Sequence, residues 1–590
     1  MKKIFVIGIA LLALVSCNMD FYPSDSMTSS QLKENPSAAV YTTDGIYSLF
    51  ISNQPYKGSS DGGNMYIRHL FQLTESRGDN ISISGHSTDP FLGPYRYEDV
   101  DNTKNKYYFW WMGYKMIYAA NSNIDGLKDS YSGNKLSAHL LGENYFFRAY
   151  IHFNLVSLFA MPYVCGRDNP GIPNRRSMDY SQTTRATVGE VYDGIVEDLK
   201  DAIKYMDMGS PRGDASYVSA TAARAMLSRV YLNMGDEHLE ECVTLCNELI
   251  AKAPSKVKGE YTLDQLEKYP EKTWDYDETI WCIHHIYPTD VPSTEATIGS
   301  MYFTTDEGNN GWGQWYWNDE LIELFNRYPE DKRFLAYFHY DPKAYDPETD
   351  NGKVMVCWPT KALDENDFRV TDYVKGVTPS NGDYIVTTTD GKTYTAKRER
   401  VNGYTRYFIE RDLTGDPTYF GGKTPVYIRK DVDEDLGIRS SQYVRYYNSK
   451  FSGQDGQVTV SSPVMIRWGE VFLNRAEALA RLDRDEEAFA DVNLIRHRAG
   501  VKGDADFTTA NYRSRGYESS LDVVLDERRM ELCFEGDRMF SIFRNKKKLD
   551  RRYVGYHPWE VIDYNDPRIA LLIPADEINA TDIEQNNQKK

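Results

Sequence analysis

Several common chemistries are missing from this chain, and their absence narrows its function. Among 590 residues there are seven cysteines, too few and too scattered for the disulfide framework of a small secreted domain. Positive charge is in deficit: 68 Lys and Arg stand against 87 Asp and Glu, a formal net charge of −19. With no basic patch to offset it, that balance argues against a nucleic-acid partner. HExxH, GxSxG, CxxC and Walker sequences are absent, which removes the usual zinc-protease, serine-hydrolase, thiol-redox and P-loop chemistries. Carboxylates are plentiful, but no spacing nominates a glycosidase pair. The expectation is a protein that is not an enzyme and carries no cofactor and no metal.

Long apolar runs are also missing, except at the start. MKKIFVIGIALLALVSC places two lysines before about a dozen apolar residues, too short to span a bilayer but suited to a signal peptide. The run closes on Ser16-Cys17, a small residue directly before a cysteine, which looks like a bacterial lipobox. The alternative is an ordinary signal peptide with an incidental cysteine. On the lipobox reading, residues 1–16 are removed, Cys17 carries lipid and 17–30 is a leash. Loss of Lys2 and Lys3 takes the formal charge from −19 to −21.

The body is rich in tyrosine, 45 residues, and has 10 tryptophans; such rings tolerate half-exposed positions and suit a recognition surface. Helical periodicity is expected over 36–50, 107–127, 135–159, 187–206, 219–234 and 238–250, then again over 464–482, 486–500 and 521–543. Residues 75–105 lack a stable period and read as a long structured loop. Between about 251 and 460 the segments shorten and gain Pro, Gly, Trp and Tyr, with 383–397 a hairpin turned by Asp390-Gly391. Alanine-rich stretches such as SATAARAMLSRVYLNMGD (219–236) suggest antiparallel helix hairpins of tetratricopeptide kind, without a clean repeat. The predicted class is mainly α, a helical-hairpin scaffold over 31–250 and 461–590 forming one domain with a loop-rich insert that carries short β-hairpins.

Three local patterns raise chemical questions. Cys242 and Cys246 share a helix face, either as a metal pair or as two small core residues. YDPETDNG (345–352) resembles a calcium loop, but its glycine is one place late and the closing glutamate is missing. GWGQWYWNDE (311–320) brings Trp312, Trp315, Tyr316 and Trp317 together after several glycines. These rings either close a loop over the core or present flat faces to a sugar.

The helical segments resemble SusD/RagB-type outer-membrane lipoproteins of Bacteroidetes. LGENYFFRAYIHFNLVSLFAMPYV (141–164), ATVGEVYDGIVEDLKDAIKYM (186–206), SATAARAMLSRVYL (219–232), VMIRWGEVFLNRAEALARL (464–482), AFADVNLIRHRAG (488–500) and VLDERRMELCFEGDRMFSIFR (524–544) carry the likeness. IPADEI (573–578) adds to it, whereas Ala160 stands where a glycine is often found. The resemblance implies a cell-surface lipoprotein that holds oligosaccharide or polysaccharide, or peptide in some branches, and passes it to a SusC-like TonB-dependent outer-membrane transporter. A lid without independent ligand binding is a further alternative. It also implies that Arg467, Glu531 and Arg538 form buried or half-buried ion pairs that fix helix order. The ligand candidates are Arg77, Asp79, Asn80, Tyr95 and Tyr97 from the 75–105 loop, with Trp312, Trp315, Tyr316 and Trp317.

Overall fold

Thr187 starts one long helix with a capping box, its side chain accepting from the Glu190 amide while the Glu190 carboxylate accepts from the Thr187 amide. Asn134 caps another by accepting from the Leu136 and Ser137 amides. Such caps, combined with apolar stripes, define the scaffold seen in a computed structural model. It describes residues 38–56, 63–83, 89–291 apart from 180 and 182, 296–302 and 311–340. It also describes 354–430 apart from 364–368, 376, 388–390, 402–403 and 414–418, and 446–588 apart from 554–556 and 559. Cys17, the leash and the 345–352 acidic stretch lie outside the described residues.

The scaffold helices are α1 (Ala39–Ile51), α2 (Tyr66–Glu75), α3 (Lys104–Leu127), α4 (Lys135–Phe159), α5 (Val188–Met208), α6 (Ala220–Asn233) and α7 (Leu239–Ala251), continued by α8 (Trp468–Arg481), α9 (Asp485–Arg498), α10 (Ser520–Glu531) and α11 (Arg538–Arg544). Neighbours in sequence pack on one another from α3 to α7, and α7 then packs directly on α8. The stack is therefore continuous through the point where residues 252–467 leave it, and one apolar core runs through both halves. Cys242 and Cys246 are fully buried in that core. Among the described residues no helix is long and apolar enough to cross a membrane.

The departing segment contains a seven-stranded antiparallel sheet, larger than the short hairpins expected. Numbering all strands in chain order, with β1 at Ile81–Ile83, β2 at Thr279–Cys282, β3 at Trp315–Trp317 and β4 at Phe338–Tyr340, its members run from β5 (Val354–Leu363) to β11 (Thr424–Lys430) in the order β6-β5-β11-β10-β9-β8-β7. The expected hairpin is present, with Thr387 opposite Thr393. Val386, Ala396, Ile409 and Val426 form a small core of its own.

Three boundaries differ from expectation. α2 is absent from the expected helices although Ile67, Leu70 and Phe71 keep helical spacing; it is only ten residues long and no side chain caps its start. Residues Val464–Arg467 form a strand paired with β2 before α8 begins; the extended entry lets Arg467 reach Glu278, Glu531 and Glu535. The expected 521–543 helix breaks between α10 and α11. There Phe534 and Gly536 take φ values of +69° and +78°, and the Glu75 carboxylate accepts from both amides, at 3.2 and 2.8 Å. A Cβ on Gly536 would also come within 2.3 Å of the Thr74 hydroxyl, so this turn requires glycine.

Candidate functional site

The two stretches picked from the sequence do meet. β1 pairs antiparallel with β3, Ile81 opposite Trp317 and Ile83 opposite Trp315. The pairing conceals the rings that were expected to face a ligand. Trp315, Tyr316 and Trp317 are at most 1 % exposed, a correction to their proposed role as a platform. The Trp317 indole N–H donates to the Tyr447 carbonyl at 3.0 Å, and its ring meets Phe534 edge-on at 4.8 Å. Trp315 lies between Phe91 and Tyr302, at 5.1 and 5.5 Å. Because side chains on both faces of the strand are buried, neither face is left for a sugar.

The polar candidates are likewise interior. Arg77, Asp79, Asn80, Tyr95 and Tyr97 are all buried, and this corrects their assignment to ligand. Arg77 donates to the carbonyls of Arg568 and Ile569, at 2.9 and 2.8 Å, and its guanidinium sits 4.8 Å from the Tyr97 ring centroid. The Tyr97 hydroxyl donates back to the Arg77 carbonyl at 2.8 Å. Asp79 accepts from Arg538 at 2.7 and 3.1 Å. Burial alone would raise the Asp79 carboxyl, but Arg529 and Arg538 outweigh it and hold the group below its ordinary range. Asn80 accepts from Arg529 at 3.0 Å and donates to Glu75 at 2.9 Å. The Tyr95 hydroxyl is 2.7 Å from Nδ1 of His557. The loop's polar side chains are thus consumed as partners for α10, α11 and the C-terminal segment.

The charged belt beneath the loop behaves as the resemblance implied. Arg467 donates to Glu531 at 2.6 Å, to Glu278 at 3.1 Å and to Glu535 at 2.8 and 2.9 Å. Glu531 also accepts from Arg333 at 2.8 Å. Burial opposes its ionisation, yet Arg467, Arg498 and Arg333 hold its carboxyl well below the usual carboxylate range. These pairs tie α9, α10 and the β2–β13 junction, β13 being Val464–Arg467.

Trp312 is the exception. Its ring is 40 % exposed. Two successive amides, those of Trp312 and Gly313, donate to the Ser300 carbonyl at 2.7 and 3.3 Å, with Gly313 at φ +52°. That turn, anchored to the helical residues Gly299–Tyr302, leads the chain into β3 while leaving the indole outside it. Among the described residues no other tryptophan is openly exposed.

A polar cluster that sequence reasoning missed lies on the segment packed against β3 through Phe91. The Asp89 carboxylate accepts from Asn105 at 3.1 Å and Gln72 at 3.3 Å, and Arg68 lies 3.7 Å away. His69 is hydrogen-bonded to Gln72 at 2.8 Å. Its carriers are α2, the segment after β1 and the start of α3, which are separated in sequence and meet only in the fold. Asp89 is partly open, with 22 % of its side chain exposed. An exposed indole can stack on a flat apolar ring face, and a braced, partly open carboxylate can accept hydroxyl hydrogens.

Comparison with known proteins bears on the whole chain. Residues 277–586, more than half of it, match the model described as the SusD family, and residues 64–232 match one described as starch-binding associating with outer membrane. Two SusD-like proteins of Formosa agariphila are similar in sequence. One is 23 % identical over 448 residues, 74 % of this chain and 71 % of that protein; the other is 21 % identical over 564 residues, 92 % and 91 %. Among solved structures, a SusD superfamily protein from Bacteroides thetaiotaomicron superposes with a TM-score of 0.66 at 20 % identity, covering 95 % of this chain and all of that one. A putative sugar binding protein from Bacteroides vulgatus gives 0.63 at 20 % identity, covering 93 % and 98 %.

Proposed function

The chain belongs to the SusD family, and from that premise we propose that it is a carbohydrate-binding protein of the outer membrane, held there by lipid on Cys17. Its cargo is an oligosaccharide, which it captures at the surface around Trp312 and hands to a TonB-dependent transporter. The observation that carries this reading is the exposed Trp312 on its braced turn. The family description naming starch, and the sugar-binding description of a fold neighbour, support the same cargo class. In this reading the protein binds without turnover; the belt carboxylates Asp79 and Glu531 are committed to arginines.

Affinity electrophoresis of the purified chain through gels containing a panel of polysaccharides tests the cargo. The expected result is retardation by at least one glycan, with no product released from it. Binding of peptides with no glycan retarded would overturn the sugar assignment. Pull-down from outer-membrane extracts tests the hand-over, and failure to recover a β-barrel transporter would count against it.

A further inference from the structure

A second concavity, of about 380 Å³, shares no residue with the Trp312 turn or the Asp89 cluster. It lies between the loop and short helix around Leu263–Lys268, the helix Lys332–Tyr337, and the C-terminal ends of α9 and α10. Its walls include Tyr261, Leu266, Tyr269, Tyr276, Tyr337 and Ile495. The hydroxyls of two wall tyrosines are already engaged, Tyr261 donating to Glu278 at 3.0 Å and Tyr269 bonded to Thr279 at 2.8 Å. What those rings offer an occupant is their apolar faces.

The floor is charged, and its hydrogen bonds can be audited. Glu278 accepts from Arg467 and the Gly469 amide through one oxygen, at 3.1 and 2.9 Å, and from Arg498 and Tyr261 through the other, at 2.7 and 3.0 Å. Glu531 accepts from Arg467 and Arg333. Arg467 uses Nε, Nη1 and Nη2, and Lys450 donates to the carbonyls of Glu531 and Cys533 at 3.0 and 3.1 Å. Arg498 differs. It is 3 % exposed, its Nη2 serves Glu278, and its Nε and Nη1 have no partner among the described residues. Orphaned charged donors at this depth cost free energy unless an acceptor joins them. Among these floor groups Arg498 has donors to spare, while Glu260, Asp275 and Asp277 also line the cavity.

We propose that this cavity binds a small ring-bearing carboxylic acid, its carboxylate accepting from Arg498 and its ring lying among Tyr269, Tyr276 and Tyr337. The Tyr261 ring centroid lies 5.0 Å from the Arg498 guanidinium; the ring turns aside as the acid enters, giving up its hydrogen bond to Glu278. Aromatic acids and uronic acids share this chemistry: both pair a carboxylate with a flat face that stacks on tyrosine. The site would sense or carry an acidic small molecule independently of glycan held at Trp312.

Isothermal titration of the purified full chain with benzoate and with methyl glucuronide distinguishes the two sources, with benzamide and methyl glucoside as neutral counterparts. At least one acid is expected to bind, with its neutral counterpart weaker by about tenfold or more. Arg498→Lys should weaken the acid by a similar factor. Leu266→Trp, which fills the cavity from its half-buried rim, should abolish binding even if the arginine variant fails to fold. Trp312→Ala should leave acid binding unchanged, which separates this proposal from the glycan reading. Failure of both acids to bind at millimolar concentration would overturn the proposal. So would equal binding of acid and neutral counterpart, or acid binding that survives Leu266→Trp.

Discussion

Trp312 and Trp317 stand on one short segment, and the fold treats them oppositely. Trp317 is pinned in β3 opposite Ile81, closed in by phenylalanines and hydrogen-bonded to Tyr447. Trp312 precedes the strand on a turn that leaves its ring 40 % exposed. Both indoles have the same affinity for a flat apolar partner. Backbone pairing decides which ring is buried, so the number of rings in the segment says nothing about which one is exposed. The same contrast runs through the polar residues: Asp79 is locked between arginines, whereas Asp89, ten positions on, keeps part of its carboxylate open.

This comparison can be broken most severely at Trp317. Trp317→Ala should cost about 3 to 5 kcal/mol of stability, the usual range for emptying a large aromatic site in a core. Urea denaturation measures it; a loss under about 1 kcal/mol would mean that the strand is not core. Asp79→Ala comes next. It strands Arg538 and Arg529 in the interior and should cost about 3 kcal/mol, whereas Asp89→Ala, read by the same denaturation curve, should cost about 1 kcal/mol or less. Equal losses at the two aspartates would erase the distinction drawn between them.

A smaller effect follows from pH. Burial pushes the His285 imidazole down to about 4, with His284 adding to the shift, and burial likewise takes His152 to about 4. An unfolded histidine titrates near 6.5. Between those values the unfolded chain binds protons that the folded chain refuses, so stability present above pH 6.5 is lost as pH falls toward 4. Glu143, raised to about 7 by burial, acts in the opposite sense between about 4.5 and 7. Single substitution therefore reads each term more cleanly than the wild-type profile. His285→Leu should gain on the wild type by up to about 3 kcal/mol as pH drops from 7 to 4, measured by denaturation at both pH values. A constant difference across that range would contradict the buried, neutral imidazole.

The long helices were legible from the sequence. Lys135–Phe159 was expected at those same bounds, and 187–206 fell within two residues of Val188–Met208, because caps and stripes are local signals. α2 was not: its apolar residues keep helical spacing, but the element is short and lacks a capping side chain. The break before α11 was not either: the Glu75 carboxylate that holds the turn belongs to a segment more than four hundred residues upstream. Among the candidate ligand residues Trp312 is exposed, whereas Trp315, Tyr316 and Trp317 beside it are buried. Arg77, Asp79 and Asn80 look like a ligand loop because arginine, aspartate and asparagine serve ligands and buried ion pairs equally well. Their partners, Arg529, Arg538 and the carbonyls near 568, become neighbours only in the folded chain.

The most direct test is a single substitution read two ways. Trp312→Ala and the wild type are run side by side in gels containing the glycan that retards the wild type, and both are melted by circular dichroism. The account predicts a stability change of less than about 1 kcal/mol and a loss of affinity of about tenfold or more. A folded variant retarded as strongly as the wild type would contradict it and remove Trp312 from the binding surface.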